Sequence, residues 1–210
     1  DAYNVAIGYS AGKDVTTGFN NTLIGGNAGA NILAATDNVL VGTYAGDAIT
    51  GGIRNVAVGT SALGAEDAHG YNTAIGHGTL QVQNAGVNAY NTAVGYEAGN
   101  QVSTGTLNTI VGGLAGDALT TGSSNTAVGY ESFTAETTGD YNIAIGREAL
   151  RLSTLANKSI GIGVGALNSQ AQAVKTDTYN IAVGHFAGTA VSTGIDNVIL
   201  GGLAGDALTT

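Results

Sequence analysis

The chain contains no cysteine, proline, methionine or tryptophan, and only 10% of its 210 residues are charged. Without cysteine, no disulfide can stabilise the fold. No run of 18 apolar residues occurs, so the sequence predicts no transmembrane helix and no membrane insertion. The net charge is −9 and the six Lys and Arg residues are scattered, which disfavours nucleic acid and anionic membranes as partners.

Glycine is abundant, with 35 residues, and twelve of these glycines are periodic. They follow one another at steps of 17 residues, except for steps of 19 after Gly76 and 21 after Gly163. The twelve are Gly8, Gly25, Gly42, Gly59, Gly76, Gly95, Gly112, Gly129, Gly146, Gly163, Gly184 and Gly201. A pair of helices needs about 33 residues or more. The period therefore predicts an all-β parallel solenoid with one coil per repeat and the glycine at a coil turn.

Each coil can be numbered from its first position, slot 1, which holds Asn in every coil except the tenth, where it holds Ser159. The slot-1 asparagines are Asn4, Asn21, Asn38, Asn55, Asn72, Asn91, Asn108, Asn125, Asn142, Asn180 and Asn197. Amides stacked in one slot of successive coils can bond along the stack, so we expect a structural asparagine ladder. The repeat covers residues 1–210 as one domain, with long coils at 72–90 and 159–179.

Slots 2 to 4 form the strand of each coil, and they are mostly apolar. Slot 4 is a branched aliphatic residue throughout, and we expect it to be core: Ile7, Ile24, Val41, Val58, Ile75, Val94, Val111, Val128, Ile145, Ile162, Val183 and Leu200. Side chains alternate along a strand, so slots 2 and 4 face one way and slot 3 the other. A strand that is apolar on both faces is buried on both. Because one coil has a single interior, the second face predicts a homo-oligomer. Which face lines the coil stays open.

A longer period, of several coils, is superimposed on the coil repeat. Slot 9 is usually Gly but is Leu or Phe in five coils, at Leu63, Leu80, Phe133, Leu150 and Leu167. The chain therefore resembles a five-coil block used about two and a half times. Gene duplication explains this pattern, and a set of regularly spaced surface turns explains it equally well.

Candidate metal ligands are few. His77 and His185 share slot 6 but are six coils apart, about 29 Å at a rise of about 4.8 Å per coil, so they cannot share an ion within one chain. His69 is the third histidine. The segments from Gly112 and Gly201 resemble calcium-binding nonapeptides, with Asp117 and Asp206 as candidate ligands, but they do not recur every nine residues. An Asp in a solvated turn is the alternative.

No catalytic set is evident, and we expect neither an enzyme nor a cofactor. Carboxylate pairs on a solenoid can cleave glycans, and Glu66 with Asp67, or Glu131 with Glu136, are candidate pairs of this type. Any acidic pair on a ladder would match equally well.

Two segments carry a resemblance to a known family: Asn91-Thr-Ala-Val-Gly-Tyr-Glu-Ala-Gly99 and Asn142-Ile-Ala-Ile-Gly-Arg-Glu-Ala-Leu150. They resemble the head repeats of trimeric autotransporter adhesins, and they are similar also to repeats in bacteriophage tail fibres. The resemblance extends over all 210 residues and implies a left-handed β-roll that assembles as a homotrimer. The repeat here is longer than in the adhesin heads, and the segment holds no neck, heptad stalk or membrane anchor.

Together these features predict a structural shaft or head segment of an extracellular trimeric fibre that serves attachment. Alternatives are an adhesin that binds a receptor or glycan through variable slots 6, 7 and 10 to 12, an ice-binding solenoid, and a glycan-cleaving tailspike. An ice-binding face needs regular Thr-x-Thr ranks, whereas Thr in slot 2 is intermittent. Neither end carries a polar capping repeat, so we also expect the chain to continue into a longer fibre or to stack end to end.

Overall fold

The computed structural model describes residues 2–210 as an all-β parallel solenoid of twelve coils, which confirms the predicted fold class. Twelve three-residue strands, one per coil, form the main sheet, and two further strands form a small second sheet. The strands are β1 Val5–Ile7, β2 Thr22–Ile24, β3 Val39–Val41, β4 Val56–Val58, β5 Thr73–Ile75, β6 Thr92–Val94, β7 Thr109–Val111, β8 Thr126–Val128, β9 Ile143–Ile145, β10 Thr154–Asn157, β11 Ile160–Ile162, β12 Ala171–Asp177, β13 Ile181–Val183 and β14 Val198–Leu200. Residues 2–210 include no helix with the length and hydropathy of a membrane span.

The main sheet is parallel and keeps one register from end to end. Each strand residue pairs with the residue in the same slot of the next coil, as in Val39 with Val56. The pairing continues across the long coils, where Thr73 pairs with Thr92 and Ile160 with Ile181. The extra residues therefore lie outside the sheet.

The interior of the solenoid is lined by slot 3, not by slot 4. From Leu23 to Ala182 the slot-3 residues of the main sheet are buried, whereas Ile75, Ile145 and Val183 of slot 4 remain more than a third exposed. The slot-4 residues that we expect to be core lie on the outer face of the sheet, and slot 3 answers the question, left open by the sequence, of which face lines the coil. Slot 1 fixes the alternation, because its Asn bonds inside the coil and slot 3 therefore points inward too. The narrow interior explains why slot 3 is so often Ala.

The glycine of slot 5 turns the chain out of each strand. Its φ lies between 119° and 143° in every coil, a conformation that side chains rarely adopt. A Cβ on Gly42 would lie 2.5 Å from the carbonyl oxygen of Gly59 in the next coil. The repeated glycine is thus required both by the turn and by the close stacking of successive turns, as predicted.

The slot-1 asparagines form the expected ladder and also close each coil. The backbone N–H of Asn38 donates to Oδ1 of Asn21, 3.1 Å away in the preceding coil. The Nδ2 group of Asn38 donates to the carbonyl oxygen of Gly52, 2.8 Å away and 14 residues onward in its own coil. The same two contacts recur at Asn21, Asn91, Asn108, Asn125 and Asn142. Asn180 makes only the second contact, from its Nδ2 group. Because the asparagines are buried, each bond satisfies a group that water cannot reach.

The slot-1 asparagines close each coil at a corner, and in the long coils a buried glutamine makes part of the hydrogen bonds of this corner. Gln83 and Gln170 occupy slot 12 of coils 5 and 10, and their Oε1 atoms accept hydrogen bonds from Nδ2 of Asn91 and Asn180 at 2.6 and 2.9 Å. The Nε2 group of Gln170 also donates to Oγ of Ser159, 2.6 Å away. The exception to the asparagine series therefore lies in a long coil whose corner is built differently.

Slots 9 and 12 vary together in all twelve coils. Where slot 9 is Gly, slot 12 is Val, Ile or Leu; we call these the Gly coils, and they are coils 1, 2, 3, 6, 7, 11 and 12. Where slot 9 is Leu or Phe, slot 12 is polar; we call these the Leu coils. Their slot-9 and slot-12 pairs are Leu63 with Glu66, Leu80 with Gln83, Phe133 with Glu136, Leu150 with Ser153, and Leu167 with Gln170. Both members of every such pair are buried.

Candidate functional site

The most extensive surface feature is the outer face of the main sheet, formed by slots 2 and 4. We call it the outer sheet face. In coil 6 it presents Thr92 and Val94, and in coil 9 it presents Ile143 and Ile145. All 24 positions are Val, Ile, Leu or Thr, and none carries a charge. A face of this composition twelve strands long is a candidate interaction surface, since monomers seldom leave large apolar patches exposed.

The threonines of slot 2 lie on this outer sheet face. Thr73, Thr92, Thr109 and Thr126 follow one another in coils 5 to 8, so four adjacent strands each present one hydroxyl. Their partners in slot 4 are Ile or Val rather than Thr. The ranks are therefore Thr-x-(Val/Ile), and they lack the Thr-x-Thr pattern that an ice-binding face requires.

A second, partly exposed ladder lies in the last position of each coil, which we call slot 17 in the long coils too, and the sequence reasoning missed it. Tyr71 and Tyr90 stack with ring centroids 4.8 Å apart, and the guanidinium of Arg54 lies 5.6 Å from the Tyr71 centroid. In coils 9 and 10, Nζ of Lys158 lies 4.9 Å from the Tyr179 centroid. The signal in the sequence was the recurrence of Tyr one residue before Asn, at Tyr3, Tyr71, Tyr90, Tyr141 and Tyr179.

The two histidines of slot 6 stack on aromatic rings. His77 stacks on Tyr96 with centroids 5.5 Å apart, and His185 meets the edge of Phe186 at 4.2 Å. Both contacts give these imidazoles a packing role, and neither residue belongs to a group of three metal-ligating side chains within residues 2–210.

The two calcium candidates share slot 10, five coils apart, and differ in environment. Asp206 is exposed, whereas Asp117 is half-buried and its Oδ1 atom has no hydrogen-bond partner. Burial raises the pKa of Asp117, and the nearby carboxylates of Glu97 and Glu131 add to the rise. In the described part of the chain, neither Asp lies in a group of three ligand side chains.

The proposed pair of Glu131 and Glu136 does not form. Glu131 lies on the outside, where Arg151 Nε is 3.0 Å from its Oε2. A hydrogen bond from Tyr130, followed by the contact with Arg151, lowers the pKa of Glu131. Glu136 is buried inside the coil, and its carboxylate accepts hydrogen bonds from backbone N–H groups. The two carboxylates therefore have separate partners, and the pair cannot be assigned acid and base roles.

Glu66 and Asp67 do lie together, and His69 joins them. Nδ1 of His69 is 3.8 Å from Oε1 of Glu66 and 3.8 Å from Oδ1 of Asp67. Glu66 is fully buried, and burial raises its pKa. The sequence placed Glu66 and Asp67 in one candidate pair and treated His69 separately; the Glu-Asp-x-His spacing was the signal that joins them.

Residues 2–210 enclose no pocket. Comparison with protein-family models, with curated proteins and with solved structures gave no match.

Proposed function

We propose that the chain is the shaft or head segment of an extracellular fibre in which three copies pack through the outer sheet face. The observation that carries this proposal is the continuous run of uncharged, mostly β-branched residues in slots 2 and 4. Attachment is then a property of the assembled rod, with the turns available for contacts outside it.

The argument for self-association is energetic. Burying apolar surface contributes roughly 25 cal/mol per Å², so a face that runs the length of the rod can hold chains together without salt bridges. A second copy of the chain has a sheet of the same length and spacing, so strands of each copy meet matching strands of the next. The trimeric number itself comes from the resemblance to the adhesin heads.

Light scattering of the purified chain tests the proposal, and we expect about three chains per particle. Replacing Val94 and Val111 by Lys places charges in the middle of the outer sheet face and should dissociate the particle. The matched control is Thr104→Lys on an exposed turn, which should leave the mass unchanged. A native chain that is monomeric and folded at micromolar concentration would overturn the proposal.

The adhesin alternative has support of its own in the aromatic ladder of slot 17. The half-buried Tyr71 next to Arg54 and the exposed Tyr179 next to Lys158 offer ring faces and cationic donors, which are the groups that bind sugars and acidic ligands. A glycan array probed with the native chain and with the double variant Tyr71→Ala/Tyr90→Ala separates the two readings. Binding that the variant abolishes, with an unchanged oligomeric mass, would assign specific recognition to these turns.

A further inference from the structure

Two buried glutamates occupy the same slot of two coils but have very different partners. In coil 8 the carboxylate of Glu136 accepts hydrogen bonds from five backbone N–H groups, and Ser153 Oγ lies 3.5 Å away. In coil 4 the carboxylate of Glu66 accepts only from the N–H of His69 at 3.2 Å and from Nδ2 of Asn72 at 3.4 Å. Both side chains are fully buried, so Glu66 lacks the donors that a buried carboxylate needs.

The coil above each glutamate accounts for the difference. Above Glu136, coil 9 supplies the N–H groups of Leu155 and Ala156. Above Glu66 lies the first long coil, which leaves the regular path after Gln83, and it donates to Glu66 only through the side chain of Asn72, with no backbone N–H group. The lengthened loop thus removes the donors that close the equivalent site in coil 8.

A different set of atoms surrounds Glu66. Nδ1 of His69 is buried and makes no hydrogen bond, although two carboxylates lie 3.8 Å from it. Asp67 is 50% exposed and His69 is 30% exposed, so solvent reaches the cluster from one side. Glu66 closes it from the inside. No corresponding histidine follows Glu136, where Thr137, Thr138 and Gly139 stand instead.

We propose that Glu66, Asp67 and His69 form a binding site for a divalent transition-metal ion such as Zn²⁺. Their ligand atoms all lie within 4.8 Å of one another. A tetrahedral Zn²⁺ ion with ligands at about 2.1 Å holds them about 3.4 Å apart, so the two 3.8 Å separations from His69 Nδ1 need only a small closure and the two carboxylates, within 4.8 Å, must also approach. Two oxygen ligands and one imidazole nitrogen suit zinc or a neighbouring first-row metal, with water completing the coordination. The ion supplies the positive charge that five N–H groups supply to Glu136.

The site belongs to one chain and does not depend on the trimer. Calcium fits it poorly, because Ca²⁺ takes six to eight oxygen ligands and the cluster offers an imidazole in their place. A neutral, protonated Glu66 is the alternative way to relieve the unpaired charge. That alternative requires no metal, and the experiment separates the two.

Isothermal titration of the metal-free full chain with ZnCl₂ tests the proposal. We expect one ion per chain and a rise in the unfolding temperature on adding zinc. Glu66→Gln and His69→Gln should each weaken zinc binding at least tenfold. His77→Gln is the matched control, because His77 is an exposed imidazole stacked on Tyr96, and it should bind zinc as the native chain does.

Asp67→Asn keeps the test decisive if a buried variant fails to fold, since Asp67 is half exposed. This variant should also weaken zinc binding at least tenfold while the metal-free chain unfolds at its native temperature. No zinc binding by the native chain, an equal loss in His77→Gln, or calcium binding as tight as zinc binding would each overturn the assignment.

Discussion

Coils 7 and 8 are neighbours in the sheet, yet they fill the same interior from opposite sides. In coil 7, a Gly coil, the buried volume comes from Ile110 in slot 3 and Leu119 in slot 12, with Gly116 between them. In coil 8, a Leu coil, slot 3 shrinks to Ala127 and the volume comes from Phe133 in slot 9. Slot 12 is then free to be polar, and Glu136 occupies it. Two solutions therefore satisfy one interior volume.

The two solutions do not mix, and packing geometry explains why. In coil 3, a Cβ added to Gly46 would lie 2.8 Å from both Ile49 Cδ1 and Leu40 Cδ2, so a side chain in slot 9 conflicts there with the aliphatic residues of slots 12 and 3. Protein interiors are packed too densely to accept both. The residues of slots 9 and 12 are therefore coupled and change together.

The largest effect is expected from Glu136→Leu, which gives coil 8 the slot-12 residue of coil 7 while Phe133 stays. The change leaves five backbone N–H groups without their acceptor and adds volume to a filled interior. Each buried donor without a partner costs about 1–3 kcal/mol, so we expect the free energy of unfolding to fall by at least about 3 kcal/mol. Chemical denaturation measures it.

The double variant Glu136→Leu/Phe133→Gly completes the change to a Gly coil and should recover part of the loss. If the double variant is no more stable than the single one, slots 9 and 12 are not coupled in the way the comparison requires.

The reverse mismatch, Gly46→Leu in coil 3, should cost less. Overpacking costs about 1–3 kcal/mol and the left-handed conformation of slot 9, with φ of 54° at Gly46, adds about 1–2 kcal/mol for a side chain. We expect a loss of about 2–5 kcal/mol by the same measurement, with partial recovery in Gly46→Leu/Ile49→Ser. Gly51→Ala is the control, since a Cβ there meets nothing within 4 Å. An equal cost in the control would remove the packing argument.

The asparagine ladder is the same in coil 7, a Gly coil, and in coil 9, a Leu coil of regular length, so equal effects are expected there. Asn108 starts coil 7 and Asn142 starts coil 9, and each makes the two contacts of the ladder. Changing either to Ala removes the Nδ2 donor of a buried carbonyl, that of Gly122 or Ala156. It also removes the Oδ1 acceptor of the N–H group of the slot-1 residue in the next coil, at about 1–3 kcal/mol for each group. Thermal unfolding of the two variants should agree closely. A gap wider than about 1 kcal/mol would show that the corner also differs between Gly and Leu coils.

The smallest effect concerns the acidic slot 10, where Asp occurs only in Gly coils, at Asp47, Asp117 and Asp206. Burial holds the pKa of Asp117 above its ordinary value of 3.8, so folding disfavours the ionised form. The contribution of Asp117 to the stability of the folded chain is therefore fully present at low pH, and it is lost as the pH rises through that raised pKa. Asp117→Asn should unfold at a slightly higher temperature at pH 7 and at the native temperature at pH 3.

Asp206→Asn, at an exposed position in the same slot, should change nothing at either pH. A rise in the unfolding temperature of the native chain on adding calcium, lost in Asp117→Asn, would instead support the calcium hypothesis for this slot.

Much of the fold could be predicted from the sequence because its features repeat in every coil. The glycine of slot 5, the asparagine of slot 1 and the 17-residue period each have one physical explanation, and the structure confirms all three. The sequence left open which face of the strand lines the coil, because Ile and Val suit any covered face of a strand. The decisive clue was size: a narrow interior selects Ala74 or Ala93 in slot 3 and leaves the larger residues outside.

The candidate sites were harder to predict because they depend on exceptions to the repeat. Phe133 and the leucines of slot 9 were visible in the sequence, but their link to slot 12 becomes clear only when both are seen to point inward. Glu66 and Glu136 looked alike as acidic residues of the repeat. Their different partners follow from the path of the coil above, which periodicity does not encode.

The short distance between slots 9 and 12 has a consequence for how such a chain can evolve. The two coupled residues are only three positions apart, so unequal recombination between coils rarely separates them. A crossover elsewhere exchanges or adds a whole Gly coil or Leu coil with its packing intact. Gain or loss of a single residue within slots 2 to 4 would instead turn the remaining strand residues to the opposite face. Copy number can therefore drift in steps of one coil while the interior of every coil stays filled.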